Sequence, residues 1–481
     1  MEKVCFELDR VIVNYLDKEI LNIEKLAIHQ FDRIGIVGKN GAGKSTLMKL
    51  LASKIQPTSG MVNSLVHFGY FEQMEAPTLV EAEAQLVGKL AIPINFEGLS
   101  GGEQTRLKLA QLFSFYEEAL LIDEPTTHLD QEGIAFLVDE LRYYYGALVL
   151  ISHDRTVLDE LVTTIWEMDG GTVNIYSGNY SNYAWQKQLE QDQQRQAHDL
   201  YLKERSRLEK AALDKMKKAE KITQAGNMSK REAHAKPNRM FMTKSKGTSQ
   251  KNVQRAAKAI EQRIEKLQKA DAVQVDRNIV FRQSKTLELH NKFPIMDQFT
   301  LHVPGKVLLD AVSFQIPLGK KIALTGSNGC GKSTLLQHIA NYGDRLTISP
   351  KAKIGYFHQM GYQFKSEETV LQFLKNRSDY DEGFLRNVLG SMQFVGTDIQ
   401  KDVNSLSGGE AVRLQLCYLF LGSYNILLLD EPTNFLDIQA LEALEQFITA
   451  YEGTIIFVTH DKNFIDNVAD IQFTIKNNKI F

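Results

Sequence analysis

Cysteine is scarce in this chain: Cys5, Cys330 and Cys417 are all it has in 481 residues. Three thiols, odd in number and far apart, give neither a disulfide framework nor metal-ligand spacing. Proline (10) and tryptophan (2) are also sparse. Long apolar runs are missing as well. Stretches such as 147–151 and 426–429 are far short of the roughly 18 residues that a membrane span needs. The N-terminus lacks the apolar core of a signal peptide. These absences exclude a membrane pore formed by this chain alone and predict a cytoplasmic protein. Net charge is only −3, so the whole-chain balance names no partner, and 43% apolar content is ordinary for a globular chain.

What the chain does have is an internal repeat. Gly38-Lys-Asn-Gly-Ala-Gly-Lys-Ser-Thr46 recurs 288 residues later as Gly326-Ser-Asn-Gly-Cys-Gly-Lys-Ser-Thr334. Leu99-Ser-Gly-Gly-Glu103 recurs as Leu406-Ser-Gly-Gly-Glu410 at an offset of 307. The same 307 relates Asp123-Glu-Pro-Thr to Asp430-Glu-Pro-Thr and Ser152-His-Asp154 to Thr459-His-Asp461. Order and spacing repeat together, so the chain is a tandem duplication. From Gln73 to the following serine the first copy spends 27 residues, against 48 from Gln359 in the second. The first copy's helical subdomain should therefore be unusually short. The expected fold is α/β, two tandem domains of one plan at 1–185 and 271–481 joined by a helical hairpin at 186–270.

The segment between the copies differs in composition. Residues 186–270 hold 22 Lys/Arg and 10 Asp/Glu, a net of +12. The stretches 190–222 and 250–270 contain no proline and read as helices. Val253, Ala257, Ile260, Ile264 and Leu267 form a narrow apolar seam, and Leu208, Ala212, Met216, Ala219 and Ile222 offer a matching one. An antiparallel hairpin is expected, its tip near 223–249 broken by Gly226, Pro237 and Gly247.

Each Gly-rich loop follows an apolar run and precedes apolar residues at helical spacing, the context that a phosphate loop requires. Gly38, Gly41 and Gly43 in the first copy, and Gly326, Gly329 and Gly331 in the second, let backbone N–H groups converge on phosphates. Asn40, Thr46, Asn328 and Thr334 belong to the same loops. Lys44 and Lys332 are placed to reach the β- and γ-phosphates, and Ser45 and Ser333 to ligate Mg²⁺. Asp123 and Asp430 end apolar strands beside that metal, and Glu124 and Glu431 can polarise an attacking water. Ser100-Gly101-Gly102-Glu103 and Ser407-Gly408-Gly409-Glu410 form a second anion site, with the serine capping a helix.

These motifs together resemble the ATP-binding cassette superfamily. The resemblance implies two bound ATP molecules in composite sites, the signature of one copy closing on the phosphates held by the other. It places Gln73 and Gln359 on the metal, His153 and His460 on the γ-phosphate, and Asp130 and Asp437 across the interface. It also places Tyr15 against the adenine ring. The same distance before Gly326 falls on Val303, with Phe299 nearby but off register.

Two cassettes, no membrane domain and a basic hairpin between them, together with Gly178-Asn-Tyr-Ser181 just before the linker, resemble the ABC-F family of ribosome-associated ATPases. Within it, Phe281–His290 and Phe314–Gly319, the long linker loop and the short interval after Gln73 look like resistance members of the Msr type. The resemblance implies ribosome protection. An ATP-bound protein would enter the E site, contact P-site tRNA and 23S rRNA of the 50S subunit, and promote departure of a macrolide or streptogramin. The two ATP domains would pair within one chain, so a monomer is expected. Between 215 and 258, 13 Lys/Arg face only Glu220 and Glu232, which suits an RNA partner. At the tip, Arg239, Met240, Phe241 and Met242, followed by Lys244 and Lys246, can stack on or wedge against unpaired bases. The alternatives are a housekeeping factor of the same family without drug specificity, or the ATPase subunit of a transporter.

Overall fold

The computed structural model describes residues 3–15, 18–72, 82–90, 92–93, 99, 101–127, 129–226, 255–256, 258–260, 262–263, 279, 281, 295–303, 305–358, 364–434 and 436–481. They divide into two compact units. One comprises Met1–Tyr183 and Arg277–Phe481, the other Ala184–Asp276.

In the first copy, β1 (Val4–Tyr15) and β2 (Lys18–His29) form a long antiparallel hairpin, with β4 (Ser59–Ser64) added on the other side of β1. A six-stranded sheet in the order β5-β6-β7-β3-β8-β9 carries the phosphate loop. Its strands are β3 (Arg33–Gly38), β5 (Phe68–Phe71), β6 (Ala119–Asp123), β7 (Ala147–Ile151), β8 (Thr164–Asp169) and β9 (Thr172–Ser177). Every residue of β6 and β7 is buried. Such uninterrupted apolar runs mark parallel strands covered on both faces. The helices are α1 (Lys44–Leu51), α2 (Ala84–Lys89), α3 (Gly101–Phe113), α4 (Gln131–Arg142) and α5 (Arg155–Leu161).

The second copy repeats the plan. A sheet of β10 (Ile295–Val303), β11 (Lys306–Gln315) and β13 (Leu346–Thr347) stands for the hairpin sheet. The six-stranded sheet runs β14 (Ile354–Phe357), β15 (Ile426–Asp430), β16 (Thr454–Val458), β12 (Lys321–Gly326), β17 (Ile471–Lys476), β18 (Lys479–Ile480). Position by position this is the order of the first sheet, and each ends in an antiparallel edge strand. The helices are α7 (Lys332–Ala340), α8 (Val370–Lys375), α9 (Glu382–Ser391), α10 (Gly408–Leu421), α11 (Ile438–Ala450) and α12 (Lys462–Val468).

The unequal intervals have structural consequences. Between β14 and α10 the second copy builds α8, α9 and two 3-10 turns, Asp398–Gln400 and Val403–Ser405. Between β5 and α3 the described residues of the first copy form only α2. Around the extra helices an aromatic core assembles, with Phe281, Phe420 and Phe447 at ring-centroid distances of 5.2 to 5.5 Å. Cys5 and Cys417 are buried free thiols, and Cys330 is free in the second phosphate loop.

A single helix, α6 (Tyr180–Gly226), leads into the second unit and runs 47 residues, about 70 Å at 1.5 Å per residue. Ion pairs one turn apart, such as Arg205 with Glu209 at 2.8 Å, support it. Leu208 and Ala212 of the expected seam are buried, whereas Met216 is exposed. Of the expected second helix only residues between 255 and 263 are described, and they are helical. Among the described residues no helix is long and apolar enough to cross a membrane.

Phe447 is fully buried and touches Phe281 and Phe420. Phe447→Ala should therefore cost about 3–5 kcal/mol, measurable as a shifted urea unfolding midpoint.

Candidate nucleotide sites

Gly38 and Gly326 open the two phosphate loops at φ 145° and 147°. A Cβ there would lie 2.6 and 2.7 Å from the carbonyl oxygens of Met168 and Ile475, so only glycine lets each loop pass its neighbouring strand. The other loop glycines pair off across the copies in the same way. Gly41 and Gly329, at φ 80° and 72°, stand at the open crest of each loop, where an added Cβ would meet nothing within 4 Å. Gly43 and Gly331, at φ 100° and 106°, are the N-caps of α1 and α7. A Cβ there would lie 3.0 Å from Leu21 and from Leu308, the side chains packed beneath each loop. The lysines close on their own loops. Lys44 Nζ donates to Gly38 O at 2.7 Å and Lys39 O at 3.1 Å, and Lys332 does the same to Gly326 O and Ser327 O. Burial pulls the Lys44 pKa below that of a free lysine, against the pull of the nearby carboxylates.

Behind each loop stand the carboxylates that end β6 and β15. Ser333 Oγ donates to Asp430 Oδ1 at 2.9 Å, and in the first copy burial pushes the Asp123 pKa up against the pull of the Ser45 hydroxyl. Asp123 Oδ1 is buried with no hydrogen-bond partner. A hard cation fits this hydroxyl–carboxylate pair. Among the described residues no cluster of three His, Cys, Asp or Glu could hold a metal unaided. Gln73 and Gln359 lie outside the described residues.

The neighbouring glutamates adopt a left-handed backbone, Glu124 at φ 51° and Glu431 at φ 50°. A non-glycine residue there carries strain of order 1 kcal/mol, tolerated where surrounding contacts over-determine it. Glu124 N donates to Ile151 O and Glu431 N to Val458 O, both at 3.0 Å, pinning the bend to the adjacent strand. His153 Nε2 lies 3.2 Å from Glu124 Oε1, and His460 Nε2 lies 3.2 Å from Glu431 Oε1. Burial pushes Glu124 up to about 8 and Glu431 up to about 7. Burial, with the neighbouring lysine charge, pulls His153 down to about 3 and His460 down to about 4. The imidazoles are therefore neutral at physiological pH, and each glutamate holds a pKa in the range suited to a general base.

The second-copy signature is described in full. Ser407 caps α10: Glu410 N donates to Ser407 Oγ at 3.4 Å, and Ser407 N donates back to Glu410 Oε2 at 2.9 Å. This capping box leaves the first turn's other N–H groups facing outward, an anion site. In the first copy α3 starts at Gly101, and Ser100 lies outside the described residues.

Contacts across the two copies are reciprocal. Asp437 Oδ2 accepts from Asn40 N of the first phosphate loop at 2.8 Å. Asp130 Oδ2 accepts from Asn328 N of the second at 3.3 Å. Their other oxygens cap α11 and α4, accepting from Ala440 N at 2.9 Å and Gly133 N at 3.0 Å. Further side chains join these contacts. Gln393 Nε2 donates to Asp437 Oδ1 at 2.6 Å, buried Arg413 donates to Gln393 Oε1 at 3.3 Å, and Arg155 NH1 reaches Glu445 Oε1 at 3.2 Å. Gln393 sits in the longer interval of the second copy, where the repeat offers no matching position.

The hairpin tips of the two copies are unequal. Tyr15 pairs with Lys18 at the hairpin tip and is 52% exposed, free to meet a ring. Val303 pairs with Lys306 at the equivalent tip. Phe299 is buried against His338, ring centroids 4.8 Å apart, so it is committed to packing.

Two outcomes are expected. Asp437→Ala should destabilise more than Asp130→Ala, by about 1–3 kcal/mol, because it also strands Gln393 and Arg413; paired urea titrations compare them. The second concerns pH. An unfolded glutamate ionises near 4.5 but the folded ones hold their proton to about 7 and 8. Nucleotide-free stability from this source is full below the unfolded pKa and is lost as pH rises through the folded values. E124Q/E431Q should therefore melt higher than the wild type at about pH 8, with the gap closing towards about pH 5. The histidines act oppositely, costing stability only as pH falls below their ordinary value.

A family profile described as ABC transporter matches residues 21–75 and 309–434, and a second of the same description matches 166–235. The chain is 38% identical over 476 residues to the erythromycin resistance ATP-binding protein MsrA of Staphylococcus epidermidis, covering 98% of this chain and 97% of that one. It is 31% identical to the ribosome protection protein VmlR of Bacillus subtilis, covering 99% and 88%. Among solved structures, an RNase-L inhibitor superposes with a TM-score of 0.64 at 18% identity, covering 97% of this chain and 87% of its own, which establishes the shared fold. The chain is an ATPase of the ATP-binding cassette superfamily and belongs to its ABC-F family, resembling the Msr-type members along nearly its whole length.

Proposed function

We propose that this protein is a ribosome-protection ATPase that confers resistance to macrolide or streptogramin-type antibiotics. The observation that carries the reading is the nearly end-to-end likeness to an erythromycin resistance protein, supported by the likeness to a ribosome protection protein. The charge distribution favours the same partner, since 186–270 carries +12 within a chain of net −3, and clustered lysine and arginine suit RNA phosphates. In this reading the ATP-bound protein occupies the ribosomal E site. Residues 186–270 contact P-site tRNA, and the tip from Arg239 to Lys246, which lies outside the described residues, faces tRNA and 23S rRNA near the drug on the 50S subunit.

The residues divide the work. N–H groups of 38–46 and 326–334 hold the ATP phosphates, and the signature at 407–410 closes the first site as that at 100–103 closes the second. Mg²⁺, held by Ser45 with Asp123 and by Ser333 with Asp430, and joined by Gln73 and Gln359, would neutralise phosphate charge. Glu124 and Glu431 orient the attacking water and accept its proton, while neutral His153 and His460 donate to the γ-phosphate. Hydrolysis reopens the pair and permits dissociation. Both ATP domains belong to one chain, so the acting unit is a monomer.

Expression in a susceptible host should raise the inhibitory concentration of erythromycin; an unchanged susceptibility panel would sink the proposal. E124Q/E431Q should lose roughly 100-fold or more of ATP turnover and sediment with ribosomes in ATP. Normal turnover in that variant would mean the general base lies elsewhere. Replacing 239–242 by alanines should abolish protection while ribosome co-sedimentation persists.

A further inference from the structure

One edge of the first cassette carries five exposed aromatic side chains: Phe31, Phe115, Tyr116, Tyr143 and Tyr145. Three are joined. The Phe31 and Tyr145 rings lie 4.6 Å apart, and Tyr116 OH donates to Tyr145 O at 2.5 Å. Beneath them Arg33 donates to the carbonyls of Leu141 and Tyr144, at 2.7 and 2.5 Å, bracing the turn before β7. These residues lie at the starts of β3, β6 and β7, opposite the strand ends that carry Gly38, Asp123 and His153.

The second copy supplies an internal control. Offsets of 288 and 307 place Gly319, Gly422, Ser423, Ala450 and Glu452 at these five positions. The equivalence is structural: Lys321, standing for Arg33, donates to the carbonyls of Tyr451 and Gly453. The same scaffold therefore folds without the aromatics, so its core does not require them. Phe31 is the sharpest case. It sits at φ 74° where Gly319 sits at φ 69°, a left-handed backbone that glycine adopts freely and phenylalanine only under strain.

Charge selects the partner. Residues 1–185 hold 14 Lys/Arg against 26 Asp/Glu, a net of −12, whereas 271–481 carry only −3. Around the patch lie Asp32 and Glu117. The nearby cations are already engaged, Lys3 with Glu118 and Arg142 with Glu160, and Arg33 with the carbonyls. Such a surface repels phosphates and attracts cations, and tyrosine faces bind ammonium and guanidinium groups. Clustered exposed tyrosines are also what protein interfaces concentrate.

We propose that this aromatic edge of the first cassette is a docking surface for an arginine- and lysine-rich protein segment. A fluorescein-labelled peptide of alternating arginine and glycine, titrated against the full-length protein by polarisation, tests it. The comparison is F31G/Y116S/Y145E, which takes the residues that the second copy uses and leaves ATP turnover unchanged. The variant should bind the peptide roughly tenfold more weakly or worse, although it carries one more negative charge. Equal or tighter binding would show attraction by net charge alone and overturn the proposal. So would binding of a labelled oligouridylate that the wild type shows and the variant loses, which would make the edge an RNA platform.

Discussion

Asp437 and Asp130 each hold two things at once: the first turn of a helix in their own cassette and a backbone N–H of the phosphate loop in the other. A buried carboxylate is costly unless its oxygens are satisfied, and these two, 1% and 5% exposed, are satisfied only when the cassettes meet. Cassette pairing and loop geometry therefore depend on the same few hydrogen bonds. The two bonds reach Asn40 and Asn328 within the Gly-rich loops themselves.

The reciprocity is not symmetric in strength. Asp437 gains Gln393 and, through it, Arg413 of the signature helix, a chain that links the second signature to the first phosphate loop. Among the described residues no equivalent of Gln393 reaches Asp130, and the first copy spends fewer residues between β5 and α3. Arg155 adds a one-sided tie to Glu445, for which the repeat places Lys462 opposite Val138. Two copies of one plan have thus become unequal partners, with unequal hairpin tips as well.

Within each site the same burial acts in opposite senses on neighbouring groups. It raises the glutamates towards neutrality and lowers the histidines well below it, so a 3.2 Å Glu–His pair persists without two full charges. The left-handed glutamate backbone, repeated in both copies to within a degree, is the strained element that aims this pair. Its recurrence argues that the strain belongs to the shared plan of the two copies rather than to one copy's packing.

Sequence by itself determined the duplication, the phosphate loops, the carboxylate strand ends and the short helical region of the first copy. Each is local or periodic: glycine spacing, an apolar run of fixed length, or an interval that can be counted. The basic insert between the copies was equally legible, because charge needs no folding to be summed. Only the tertiary structure decided which residues meet across the copies. Gln393, Arg155 and Glu445 carry no motif, and the role of Arg413, although it repeats Arg106 in the signature helix, likewise depends on packing between distant segments. It also decided that Phe299 is spent on His338, and that five scattered aromatics share one exposed edge. Sequence spacing reports what lies along the chain, whereas burial and cross-copy hydrogen bonds exist only after it has closed on itself.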